Sequence, residues 1–132
     1  MRKPDNQIKE HFLIYQGVNL YLSKKGTIFD AKSFLSDRGH IDFITLNPED
    51  NTLVFKILLV NKEKDFSKRS NWYRSLMNRR VLYTMKWYMQ KKKYNSEYRL
   101  DIIEAFINKG KIFIKEYEGI NIDLLQDNEY IK

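Results

Sequence analysis

The stretch between Thr27 and Val60 most constrains the fold. It divides into three runs of strand length, residues 27–35, 40–46 and 52–60. Ser36-Asp37-Arg38-Gly39 and Asn47-Pro48-Glu49-Asp50-Asn51 separate them. Both separators carry the Ser, Asp, Asn, Pro and Gly residues that favour turns, and His40-Ile41-Asp42-Phe43-Ile44-Thr45-Leu46 alternates as a strand does. Three consecutive strands on such short connections pair as an antiparallel meander.

A meander needs its apolar faces covered, and the flanking segments supply helices. Over about residues 6–25, Ile8, Phe12, Leu13, Leu20 and Leu22 recur near helical spacing, and Gly26 provides the stop. Gly17 followed by Val18-Asn19 weakens the middle and leaves room for a bend there. Residues 70–92 read as one second helix, with Trp72, Tyr73, Leu76, Met77, Val81, Tyr83, Trp87 and Tyr88 on one side and Arg74, Asn78, Arg79, Lys86 and Lys92 on the other. Residues 98–107 and 111–117 are two further strands about Asn108-Lys109-Gly110. The order α-β-β-β-α-β-β predicts an α/β domain with a mixed five-stranded sheet and helices on its faces.

The 132 residues are one domain's worth, with residues 118–132 read as either a loose acidic tail or a short edge element. A hydrophobic fraction of 42% outweighs the mean hydropathy of -0.61 in favour of a folded chain. With no cysteine, disulfides and thiolate metal sites are excluded. The first residues, Met1-Arg2-Lys3-Pro4-Asp5-Asn6, lack a signal peptide's apolar run. Ile57-Leu58-Leu59-Val60, the longest apolar run, is too short to span a bilayer. These features predict a soluble cytoplasmic protein without membrane association.

The net charge of +7 is unevenly distributed. Residues 56–99 hold 13 basic and 3 acidic residues, residues 1–55 are balanced at 7 each, and residues 100–132 hold 4 basic and 7 acidic. The basic middle third reads either as a solvated helix face or as a polyanion-binding surface.

Several strings recur in a meaningful order. Tyr21-Leu22 and Lys25-Gly26 close the first helix, followed by Gly39-His40-Ile41-Asp42-Phe43-Ile44 and Leu53-Val54-Phe55-Lys56-Ile57-Leu58-Leu59. Arg79-Arg80 through Tyr88-Met89 and Arg99-Leu100-Asp101-Ile102-Ile103 complete the set. Over most of residues 10–117 the set resembles the YraN family, small proteins with the fold of archaeal Holliday-junction resolvases and type II restriction enzymes. That family carries Gly-Glu-Ile-Asp-Leu-Ile, then Leu-Val-Phe running into Val-Glu-Val-Lys, then Arg-Phe-Asp-Val-Ile. The resemblance implies a restriction-endonuclease-like three-layer domain.

Relatives of that kind cut phosphodiesters with a hard cation held by carboxylates, assisted by a lysine two residues after the second acid. Transferred position by position, the resemblance keeps Asp42 as the first acid. The second acid falls at Ile57 and the lysine at Leu59, the acid near the first helix's start falls at about Tyr15, and the Glu of Gly-Glu-Ile-Asp is His40. One carboxylate with a neighbouring histidine does not make the oxygen cage that Mg²⁺ needs. The expectation is a nuclease fold without catalytic residues, metal or cofactor, with Asp42 and His40 vestigial. His40 and Asp42, two apart on one strand, also read as a transition-metal pair or simply as strand residues.

Candidate nucleic-acid contacts are Lys62, Lys64, Lys68 and Arg69 in the loop after the third strand, with Arg79 and Arg80 on the second helix. Arg80 falls among apolar positions and also reads as an arginine whose stem packs on aromatics. Trp72 and Tyr73 are expected in the core, His11 at a surface or boundary, and Lys91-Lys92-Lys93 as a basic helix end favoured by the dipole. Three functions remain open: a catalytically inactive module binding DNA or RNA, a scaffolding subunit with a protein partner or a second copy, and a nuclease with ligands relocated to Asp30, His40, Asp42 or Asp101.

Overall fold

In a computed structural model, the described residues are 3–66, 70–93 and 97–122. They form helix α1 (Lys3–Lys24), strands β1 (Ile28–Leu35), β2 (His40–Leu46) and β3 (Leu53–Val60), helices α2 (Ser70–Asn78) and α3 (Val81–Lys91), and strands β4 (Tyr98–Asn108) and β5 (Lys111–Tyr117). The sheet order is β1-β2-β3-β4-β5. Neighbours are antiparallel except β3 and β4, which are parallel and in register from Leu53↔Tyr98 to Val60↔Ala105. The α/β class, the mixed five-stranded sheet and the meander agree with the sequence expectation. None of the described helices is long and apolar enough to cross a membrane.

The sheet separates two cores. On one face Ile14, Val18 and Leu22 of α1 pack on Phe43, Leu58, Ile103 and Ala105. On the other, Trp72, Leu76, Val81, Leu82, Met85 and Tyr88 of α2 and α3 cover Ile41, Phe55, Ile57, Leu100 and Ile102. Each buried strand feeds both cores by alternation, so the chain is three-layered.

Helix α1 runs unbroken through Gly17, where a Cβ would meet the end of the Ile112 side chain of β5. One helical expectation is corrected. The second helix is two helices. Arg80 adopts left-handed backbone angles, φ 51 and ψ 44, between α2 and α3. The break resets the helical phase, so Leu82, Thr84 and Met85 are buried while Tyr83 and Trp87 are only half-buried.

What fixes the elbow is the turn between β1 and β2. Its Gly39 lies so close to the carbonyl oxygens of Arg79 and Arg80 and to the Thr84 hydroxyl that a Cβ would overlap them. Ser36 Oγ accepts from the Gly39 N–H at 2.9 Å and meets Thr84 Oγ1 at 3.0 Å, and Thr84 Oγ1 donates to the Arg80 carbonyl at 2.9 Å. After β5, residues 118–122 return to the sheet. Ile120 N–H donates to the Leu100 carbonyl at 2.8 Å, and Ile120 and Ile122 pack on the core. The rest of the anticipated acidic tail lies outside the described residues.

Because two of the three obstacles to a Cβ at Gly39 are backbone oxygens, they move only if the elbow moves. Gly39→Ala is expected to destabilise by about 1–3 kcal/mol, the usual cost of overpacking, read as a lower urea midpoint with unchanged m-value.

Candidate functional site

The β2–β3 ladder pairs Leu46↔Leu53 through Phe43↔Lys56 and goes no further. Beyond it the strands part, leaving the backbone of Leu58 without its strand partner. The Asp42 side chain fills that gap. Its Oδ2 accepts the Leu58 N–H at 2.6 Å, while Arg79 donates through one terminal nitrogen to the Leu58 carbonyl at 2.9 Å and through the other to Asp42 Oδ2 at 2.8 Å. Asp42 is only 1% exposed, so its charge is held by one guanidinium and one peptide N–H.

The same terminal nitrogen of Arg79 lies 3.0 Å from His40 Nδ1. An arginine only donates, so His40 Nδ1 accepts and the imidazole is neutral with its proton on Nε2. His40 Nε2 is 3.8 Å from Asp42 Oδ1, beyond a hydrogen bond. Burial pushes the His40 pKa below its ordinary value; Asp42 opposes this, and the charges of Arg79 and His11 add to it.

This pocket of charge opens on a cleft of about 1030 Å³ between α1, the end of β3 with its following loop, and α2. His11, Leu59, Lys62, Trp72, Ser75 and Arg79 are among its lining. Ile57 is fully buried in the α2/α3 core, and Leu59 is half-buried at the cleft wall. Tyr15 stacks on Phe43 with centroids 4.9 Å apart, and its hydroxyl reaches the Asp42 carbonyl at 3.4 Å.

The anticipated site residues are not gathered in one place. Lys62 and Lys64 are exposed beyond β3, with the Lys64 ammonium on the Ile107 carbonyl, whereas Lys68 and Arg69 lie outside the described residues. Arg79, placed on the polar side of a continuous helix by its sequence, is instead largely buried against Asp42. Arg80 is half-buried and makes the elbow, so it is not a mid-helix arginine. Trp72 is core at 1% exposure, Tyr73 packs against that core, and His11 is exposed at the cleft. Lys91 and Lys92 sit over the Trp87 and Tyr88 rings.

The relocated-ligand residues are likewise dispersed. Asp30 accepts from the Tyr88 hydroxyl, and Asp101 is bound by Lys56, Arg99 and the Gly119 N–H. Among the described residues no group of three or more His, Asp or Glu side chains could hold a metal ion. Sequence reasoning missed the seating of Arg79, although a lone aspartate on a strand facing the core signals that a cation must come to it. It also missed Glu104, fully buried on β4, whose Oε2 accepts from Asn61 at 3.0 Å.

No protein-family model matches the chain, and no curated protein matches it significantly.

Two outcomes follow from the ion pair. Removing the cation strands a buried carboxylate, so Arg79→Met is expected to destabilise by about 3 kcal/mol, the lower end for a buried pair because Arg79 stays a quarter exposed. Adding Asp42→Asn should restore part of that, giving a clear coupling energy in a double-mutant cycle. The second outcome concerns pH. With His40 depressed in the folded state, the unfolded chain binds the proton first as pH falls. Its contribution is therefore complete above the ordinary value of 6.5 and is lost progressively below it. Urea midpoints of His40→Gln should fall less than wild type between about pH 7.5 and about pH 5.5.

Proposed function

We propose that this chain is a restriction-endonuclease-like module that does not cut, and that binds the phosphate backbone of DNA or RNA at the cleft beyond β3. The observation that carries this reading is the seating of Arg79 on Asp42. The one carboxylate that the family resemblance retains already has its counter-cation and its peptide N–H. Ile57 and Leu59 supply no oxygen or ammonium beside it. The element order, with antiparallel β1-β2-β3 and a parallel β4, supports the fold assignment.

Binding is supported by what faces the cleft. The guanidinium of Arg79 has five N–H donors, and its three contacts at Leu58, Asp42 and His40 leave its Nε–H and one terminal N–H for another acceptor. Lys62 and His11 border the same space, as do the carboxylates of Glu63 and Asp65, so the donors for a phosphate are Arg79, Lys62 and His11 alone. A phosphodiester oxygen accepts from such donors without base readout, so recognition here is electrostatic and tolerant of sequence.

A scaffolding role is the second reading, favoured by the exposed apolar side chains of α1. Anisotropy titrations of labelled duplex, branched and single-stranded probes at about 150 mM salt separate the two. The charge reversals Lys62→Glu and Lys64→Glu together should weaken binding by at least about tenfold on every probe and flatten the salt dependence, while Lys9→Glu leaves it nearly unchanged. Absence of wild-type binding on all probes transfers the case to scaffolding. Cleavage with Mg²⁺ or Mn²⁺ that disappears in Asp42→Ala would overturn the non-cutting half of the proposal.

A further inference from the structure

The outer face of α1 is the largest anomaly of the surface. Ile8, Phe12, Leu13 and Leu20 are 68%, 58%, 53% and 54% exposed, four of the eight large apolar side chains left in solvent among the described residues. The inner face is a complete stripe of its own, since Ile14, Val18 and Leu22 are fully buried. A helix apolar on both sides belongs between two layers, yet no described residue covers its outer side.

The sheet beneath is also incompletely roofed. Helix α1 lies mainly over β3, β4 and β5. A helix is about 10 Å across and strands are spaced about 4.8 Å, so one helix roofs about two strands. On β1, Lys32 and Leu35 remain exposed, Leu35 at 69%.

We infer that the outer face of α1 is a homodimer interface, in which a second copy packs its own α1 antiparallel against this one. Area is the first argument. At about 150–250 Å² for a large side chain, the four exposed residues offer about 450 Å² of apolar surface per copy. Two copies thus bury about 900 Å² of apolar surface, and a polar rim from Lys9, Gln16, Ser23 and Lys24 brings the total into the range of about 1,200–2,000 Å² for stable interfaces.

Charge and spacing set the direction. A parallel pair would bring the Lys24-Lys25 ends of both helices together, whereas the antiparallel pair keeps them at opposite ends and opposes the helix dipoles. Ile8 and Leu20 flank Phe12 and Gln16 evenly, four residues outside each, so a two-fold axis between positions 12 and 16 sets Ile8 against Leu20 of the second copy. The contact is isologous and closes on itself. The contact does not require nucleic-acid binding, although His11, next to Phe12, lines the cleft.

Sedimentation equilibrium between about 1 and about 200 μM tests it. Wild type should move from the 16.0 kDa monomer to twice that mass. Phe12→Glu with Leu20→Glu alters only exposed positions, so it should keep the wild-type circular dichroism and melting while remaining monomeric throughout. Leu35→Glu, also exposed but on β1, should dimerise like wild type. The inference is overturned if wild type stays monomeric, or if the double variant dimerises as well as wild type. A monomeric wild type that sediments with lipid vesicles, or that holds a different protein on this face, overturns it equally.

Discussion

A buried carboxylate at the point where two strands separate governs the arrangement of this molecule. Past Phe43↔Lys56 the β2–β3 ladder has ended, and both backbone groups of Leu58 would go unbonded inside the protein. Each such group left unsatisfied costs about 1–3 kcal/mol. Asp42 takes the N–H and Arg79 takes the carbonyl, and the two side chains neutralise each other. The ion pair thus continues the sheet by other means. Arg79 reaches that position only because α2 stops at Asn78 and the chain turns through the left-handed Arg80, and the turn is held by Gly39 packed against it. Sheet splay, helix break and glycine contact are one linked construction.

A second polar centre lies on the α1 face, and it changes how the basic middle third is understood. Lys56, 7% exposed, donates to Asp101 at 3.0 Å and to Glu116 at 3.1 Å, while Arg99 forms a paired contact with Asp101. Tyr21 and Lys25 from the end of α1 complete the coordination of Glu116. Burial alone would raise the Glu116 pKa, but hydrogen bonds and charge from Lys25 and Lys56 outweigh it and hold the group below its ordinary value. Lys56, Arg79 and Arg99 are therefore internal counter-charges. Among the described residues of the middle third, the remaining exposed cations are spread out: Lys62 and Lys64 follow the end of β3, Arg74 lies on α2, and Lys91–Lys93 close α3. A run of like charge in sequence is thus dispersed in space.

The strands were legible because period-two alternation and turn residues are local signals, and 40–46 and 111–117 match their observed bounds to the residue. The helix break was not, because apolar periodicity across residues 70–92 continues through Arg79-Arg80 and the force that interrupts it comes from Gly39, forty residues earlier. At Gly17 helix propensity is weak, yet α1 continues through it, because the stripe of Ile14, Val18 and Leu22 is packed on the sheet. In the site, Asp42 stood out by its residue type, whereas Arg79 and Glu104 acquired meaning only through tertiary neighbours.

On the proposed reading, the loss of a metal centre and the gain of Arg79 are one change seen from two sides. An acidic strand pair is tolerable in a protein interior only while a cation accompanies it, since each buried charge carries a desolvation penalty of several kcal/mol. Replacing a second acid and a lysine with Ile57 and Leu59 leaves a single negative charge, and a single covalently attached guanidinium balances it. On that reading the buried charge is balanced without any dissociable metal ion. The same substitution leaves guanidinium N–H groups facing the cleft, so a position that would have polarised phosphate is suited to holding it. On the proposed reading, the geometry that makes the fold self-sufficient also suits it to binding.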